Sequence, residues 1–276
     1  MRTVLALDAV LPLTCTRSGT CCHGKDIRIT PWELARLARA RGLEARVFRD
    51  TCTVDAGTRL RLGGAPGWRG LEACSQYDPA CGCTVHGARP LACRLYPLGR
   101  ERQGETVRII HEGRVFPCLD GCPEVASLPS QSVREYLAGQ GAGPFAEVRD
   151  AYLEMAQDLA EGALTLVFEG GLAEGTDRRW RQAWRTAVDG GVGAWPSLLG
   201  RAWHDLLTVP QLAAPLDNGA AWVQAHAEAV QAQANAESSA AVASVRLFSG
   251  ALLLFHAVGG EAAAMGRRWL AQASAR

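Results

Sequence analysis

Ten cysteines are the residues with chemistry to offer, and all of them lie before residue 123 of a 276-residue chain. They are grouped as Cys15, Cys21 and Cys22, then Cys74, Cys81, Cys83 and Cys93, then Cys118 and Cys122, with Cys52 alone. Thiolate sulfur is the donor that soft metal ions and iron–sulfur clusters select, so cysteine concentrated in one half points to metal rather than packing. Adjacent cysteines point apart in an extended chain. Cys21 and Cys22 therefore face one site only from a tight turn, which Gly19 and Gly24 make available. A disulfide framework competes for an even cysteine count, but it belongs to oxidising compartments and to small domains short of core. Met1–Leu13 carries Asp8 and Pro12 and is too short for a secretory leader. No run approaches the roughly 18 apolar residues of a membrane span, and the nearest, Leu247–Val258, reads as a core helix. A cytoplasmic, reducing setting without a membrane partner is expected, and there clustered cysteines serve as ligands or catalytic groups.

The elements that must position these thiols divide the chain in two. Ile27–Ile29 reads as a brief strand. Thr30, Pro31 and Glu33 then form a capping box with proline at the first helical position, and Gly42 ends the helix. Thr51–Val54 and Thr58–Leu62, joined at Asp55-Ala56-Gly57, predict a hairpin in which Cys52 is a packing residue. Residues 63–70 read as loop, and Thr106–Ile110 as a strand turning at Glu112-Gly113. From Ser130 the period becomes helical: Phe145, Val148, Tyr152, Met155 and Leu159 after Pro144, then Trp180 with Trp184, then Leu199, Trp203 and Leu206. Alanine-rich helices run from about Asp217 to Val258 with a break near Asn235, and Glu261–Ala273 is a last one. Tryptophans in these stretches, Trp222 and Trp269 included, read as core. The string Gly139, Gly141, Gly143 follows no strand, so it reads as helix termination rather than a phosphate loop. The expected fold is α+β: an irregular cysteine-rich metal-binding domain over residues 1–130, followed by an all-α helical domain over 131–276.

Composition sets limits. With 48% hydrophobic and 21% charged residues the chain can bury a core. Residues 1–130 carry 18 basic against 13 acidic residues, and residues 131–276 carry 11 against 15. That asymmetry is small and forms no basic stripe, so no nucleic-acid partner is expected.

Three cysteine segments converge: Cys15-Thr16-Arg17-Ser18-Gly19-Thr20-Cys21-Cys22, then Cys74 through Cys83 to Arg89-Pro90-Leu91-Ala92-Cys93-Arg94 and Pro97, then Cys118 to Cys122. Together with Ile29 and the Thr30-Pro31 helix start, they resemble the YkgJ-like cysteine-cluster family, known by its C-x-x-C-x-x-C-C signature and described as zinc- or iron-chelating. The resemblance covers residues 12–123. It implies metal ligation by Cys15, Cys21, Cys22, Cys74, Cys83, Cys93 and Cys118, with Cys122 or Cys81 available as an eighth thiol. Ser18 replaces the second cysteine of the signature, and His86 stands where the family usually has tyrosine. The flagellin lysine methylases carry a similar cluster, which tilts the expected cofactor towards an iron–sulfur cluster, [4Fe-4S], over zinc, and brings in S-adenosylmethionine.

Four thiolates on a dication leave net negative charge. Arg89 and Arg94, beside Cys93, are the cofactor-binding candidates that offset it by donating to sulfur. They also suit a substrate carboxylate, or the plain duty of holding the Arg-Pro turn. His23, His86 and His111 lie near the cluster segments as mixed-ligand candidates, although a histidine beside a metal site more often hydrogen-bonds than ligates.

Three classes of function remain. One is a metal- or cluster-binding protein with redox, sensing or metal-handling duty. Another is S-adenosylmethionine-dependent methyl transfer to a protein lysine, which would need an unconventional site because no strand–glycine-turn of the Rossmann type is present. The third is a structural zinc module that presents the helical half to a protein partner. No acid–base pair or nucleophile is marked, so enzymatic activity is left open by the sequence.

Overall fold

Residues 28–59 fold with the C-terminal helices and not with the cysteine segments that flank them in sequence. The computed structural model describes residues 2–13, 19–64, 66–112, 129–172 and 179–274. Within it the chain forms two compact units, one of Met1–Ile27 with Leu60–Ala146 and one of Arg28–Arg59 with Glu147–Arg276. Helix and strand are mixed, as the α+β expectation requires.

The first unit is built on short antiparallel ladders. Strands β1 (Arg2–Leu5), β9 (Leu98–Gln103) and β10 (Thr106–Glu112) form a sheet in the order β1-β10-β9, with Leu5 opposite Ile109 and Leu98 opposite His111. Gly104, at φ +57°, opens the two-residue turn between β9 and β10, the place where a primed hairpin turn favours glycine. β2 (Val10–Leu11) pairs with β11 (Gln131–Ser132). Helix α3 is Leu91–Leu95 and α4 is Val133–Gly139. Ser132 and Glu135 cap α4 with a reciprocal box that the S-x-x-E spelling announces. Leu13, Leu98, Ile109, Val133 and Tyr136 close the core of this part. Two-residue ladders carry the cysteines: β5 (Leu62–Gly64) with β6 (Ala73–Cys74), and β7 (Tyr77–Asp78) with β8 (Gly82–Cys83).

The second unit opens with α1 (Pro31–Ala40). Its capping box forms as expected, the Thr30 amide donating to Glu33 Oε2 at 2.8 Å and the Glu33 amide to Thr30 Oγ1 at 3.3 Å. Gly42 (φ +63°) ends it in a Schellman turn, with Leu43 N donating to Ala38 O and Gly42 N to Arg39 O. The next element differs from expectation. Thr51 and Cys52 lie in helix α2 (Ala45–Cys52), not in a strand, and only Thr53–Val54 (β3) pairs with Arg59–Leu60 (β4). Burial of Phe48 and Arg49 on one helical face outweighs the weak strand preference of Thr-Cys-Thr-Val. Ile27–Ile29 makes only a single bridge, Arg28 with Arg59.

Helices α5 (Ala142–Phe168), α6 (Arg179–Asp189), α7 (Trp195–Thr208), α8 (Gly219–Asn235), α9 (Ala240–Ala257) and α10 (Ala262–Ser274) follow the predicted periodicity. α9 is the hub: Phe248 stacks on Trp184 at 4.0 Å, and Trp269 meets Phe248 edge-on. α9 is longer than the apolar run read from sequence and is apolar enough, by length and composition, to cross a membrane. Burial of 67% of it inside the protein accounts for that apolarity. Residues 28–59 are fastened here by Trp32 Nε1 donating to Leu216 O, by Arg39 on Asp217 and by Arg49 on Asp205.

Candidate metal centre

A three-residue 3₁₀ turn, Thr20–Cys22, carries the two adjacent cysteines. Gly19 (φ +79°) and Gly24 (φ +61°) flank it, and Cys22 N donates back to Gly19 O at 2.7 Å. Gly19 is also required by space, since a Cβ there would lie 2.4 Å from the Tyr77 ring, whereas one on Gly24 would meet only the exposed Leu71 side chain, so there the positive φ is the constraint. The turn swings both thiols to the same side, with Sγ atoms 4.0 Å apart. His23 follows on the buried side. Its Nδ1 donates to Gly19 O at 2.9 Å and its ring meets Tyr77 edge-on, so it holds the turn.

The β7–β8 ladder brings a third thiol. Cys83 pairs in register with Tyr77 and sits against Cys22, close enough for a hydrogen bond, while Cys21 feels its charge. Cys21, Cys22 and Cys83 are each half-buried. The Cys22 thiol donates to Cys21, which lowers the Cys21 pKa, and the guanidinium of Arg89 acts in the same direction. Cys22 is pushed up by the same bond, by Cys83 and by burial. Without metal, Cys21 therefore ionises before Cys22, which keeps its proton. Three soft donors and a nearby cation suit a thiolate-bound metal. Among the described residues, however, no three donors close into an ion-holding group. Cys15, Cys118 and Cys122 lie outside the described residues.

The other matched thiols occupy separate elements. Cys74, on β6, is buried, and Gln76 N donates to its sulfur at 3.5 Å. Cys93, half-buried on α3, donates its amide to Pro90 O. Cys81 is exposed at the β7–β8 turn, which Asp78 Oδ1 closes by accepting from Ala80 N and Cys81 N. Cys52 is half-buried at the end of α2 in the other unit. None of the seven described cysteines forms a disulfide.

The two arginines separate in environment. Arg94 is buried: Nε donates to Arg89 O at 2.9 Å, Nη1 to Gln140 O at 2.6 Å and Nη2 to Gly87 O at 2.8 Å, while its plane lies 4.0 Å over Phe145. Those bonds hold the Arg-Pro segment to the end of α4. Arg89 donates to Gln140 Oε1 at 2.8 Å and still acts on Cys21. His111 is buried on β10, and His86 is half-buried in a 3₁₀ turn.

Sequence reasoning missed Gln76 and Tyr77. Gln76 is 2% exposed, and its carbonyl accepts from both Thr84 N and Thr84 Oγ1 while its amide faces Cys74 sulfur. Its role runs through the backbone, which leaves no trace in residue type.

Residues 14–109 match the model of the CxxCxxCC family, described as "putative zinc- or iron-chelating domain". That segment contains Cys15 to Cys93 and stops short of Cys118 and Cys122. No curated protein and no solved structure matches the chain, so similarity to the flagellin lysine methylases is not shown.

Proposed function

We propose that the first unit chelates one tetrahedral zinc or iron ion through Cys21, Cys22 and Cys83, with the fourth donor supplied by Cys15, Cys118 or Cys122. The observation that carries this reading is the 4.0 Å separation of the Cys21 and Cys22 sulfurs. Thiolates about 2.3 Å from one zinc stand about 3.8 Å apart along a tetrahedral edge. In a cubane cluster each terminal thiolate takes its own iron, so neighbouring ligand sulfurs are spread wider. Arg89 offsets the negative charge that the thiolates bring. The ion fastens ladders only two residues long, which are too small to hold themselves in place.

A second reading, a [4Fe-4S] cluster with redox duty, draws on the thiols left over. Cys74 and Cys93 are in excess of one four-coordinate site, and the amide bond to Cys74 sulfur is of the kind that tunes a cluster. Methyl transfer from S-adenosylmethionine gains nothing from the described residues.

Anaerobic purification, an absorption spectrum and metal analysis on one sample test both readings. One colourless zinc per chain, or one iron without sulfide, supports the single ion. Broad absorption near roughly 400 nm with about four irons and four sulfides supports the cluster and ends the single-ion reading.

A further inference from the structure

The helical unit contains a cavity of about 480 Å³ that lies far in sequence from the cysteine segment. Its walls come from α5, α8 and the start of α9 at helical spacing, with Met155, Leu159, Gly162 and Leu166 forming one face of α5. The space exists because the facing positions are small. Gly162, Ala227, Ala234 and Ala243 stand where leucines would fill a three-helix junction. A Cβ on Gly162 would meet only Leu247, at 3.6 Å. The volume is that of a small-molecule site.

Its charge is one-sided. Asp158 and Glu237 line it, and among the described residues no lysine, arginine or histidine does. Glu237 is already engaged, accepting from Trp203 Nε1 at 2.7 Å and pairing with Arg246. Asp158 lines the cavity and is exposed, and among the described residues it makes no ion pair, so its charge faces a ligand there. An anionic occupant is repelled, and a neutral one gains nothing from the carboxylate.

We infer that this cavity binds a small apolar molecule carrying one ammonium group, its hydrocarbon among Met155, Leu159 and Leu247 and its charge beside Asp158. The site is independent of the metal centre and stands or falls separately from it.

Calorimetric titration of the full chain with 4-phenylbutylamine, 4-phenylbutanol and 4-phenylbutyrate at pH 7 tests it. The amine should bind about fivefold more tightly than the alcohol, the size of one ion contact in high dielectric, and the butyrate most weakly. Asp158→Asn, at an exposed position, should bring the amine to the level of the alcohol. Gly162→Leu should abolish binding of both, and Ala234→Leu does the same task should the first variant fail to fold. The inference is overturned by no binding of any probe, by an alcohol or butyrate that binds as tightly as the amine, or by full binding in the filled variants.

Discussion

The sulfurs of Cys21 and Cys22 lie 4.0 Å apart on consecutive residues, and the 3₁₀ turn between Gly19 and Gly24 is the cause. A strand would have sent the two side chains to opposite faces. Here one thiol hydrogen-bonds the other, and Cys83 reaches the same place from a separate ladder.

Replacing one of these thiols should therefore empty the site. Cys21→Ser, Cys22→Ser and Cys83→Ser are each expected to drop metal per chain from near one to below about a tenth, since a hydroxyl is a poor ligand for a soft ion. Cys52→Ser, in the other unit, should leave metal content unchanged. Metal analysis of the four purified variants against the parent decides it. Equal metal in Cys83→Ser would remove that thiol from the proposed ligand set.

The glycine before the turn carries two constraints at once. Gly19→Ala places a side chain at φ +79° and drives its Cβ to 2.4 Å from the Tyr77 ring. Left-handed backbone alone costs about 1–2 kcal/mol, and the clash adds to it. Gly42→Ala, at φ +63° with nothing within 4 Å, isolates the backbone part. Urea unfolding should show the larger loss for Gly19→Ala, with metal binding impaired only there.

Much of this was legible in the chain. The Thr30–Glu33 box and Gly42 delimit α1, and Gly19 and Gly24 announce the cysteine turn, because capping and positive φ are local demands that residue type reveals. The ladders at Cys74 and Cys83 are two residues long, too short to generate a period. Residues 28–59 sit among cysteine segments in sequence, yet Trp32, Arg39 and Arg49 bond to Leu216, Asp217 and Asp205 in their own unit. Partners 156 to 184 positions away leave no local signal. Arg94 is illegible for another reason: a guanidinium beside a cysteine reads the same whether it faces sulfur or backbone carbonyls.

Arg94 is expected to hold structure. Three of its donors meet the carbonyls of Gly87, Arg89 and Gln140, and Phe145 covers its face. Lysine keeps the charge but supplies neither the planar fork nor the stacking surface. Arg94→Lys should cost about 2–4 kcal/mol, from charge-assisted bonds lost in a buried place. Chemical denaturation measures it. A loss as small as that of an exposed arginine would show that the carbonyls are served equally well by an ammonium.

His226 gives the fold a dependence on pH. The side chain is fully buried, its Nε2 donating to Leu206 O at 2.8 Å and its Nδ1 accepting from the Tyr152 hydroxyl at 3.0 Å. Burial lowers its pKa to about 4 from an ordinary 6.5, only partly opposed by the Leu206 carbonyl. Between those values the unfolded chain binds a proton that the folded one refuses, so stability rises with pH through this window. The contribution is complete above about pH 6.5 and falls by about 3 kcal/mol on acidification to pH 4. His226→Gln cannot take up that proton. Its stability at pH 7 should be lower by about 1–3 kcal/mol, because the Tyr152–Leu206 bridge is imperfectly replaced. Between pH 6.5 and 4, however, its unfolding free energy should fall less steeply than that of the parent. Urea titrations of both proteins at matched metal content across that range test this, and parallel curves would place the acid sensitivity elsewhere.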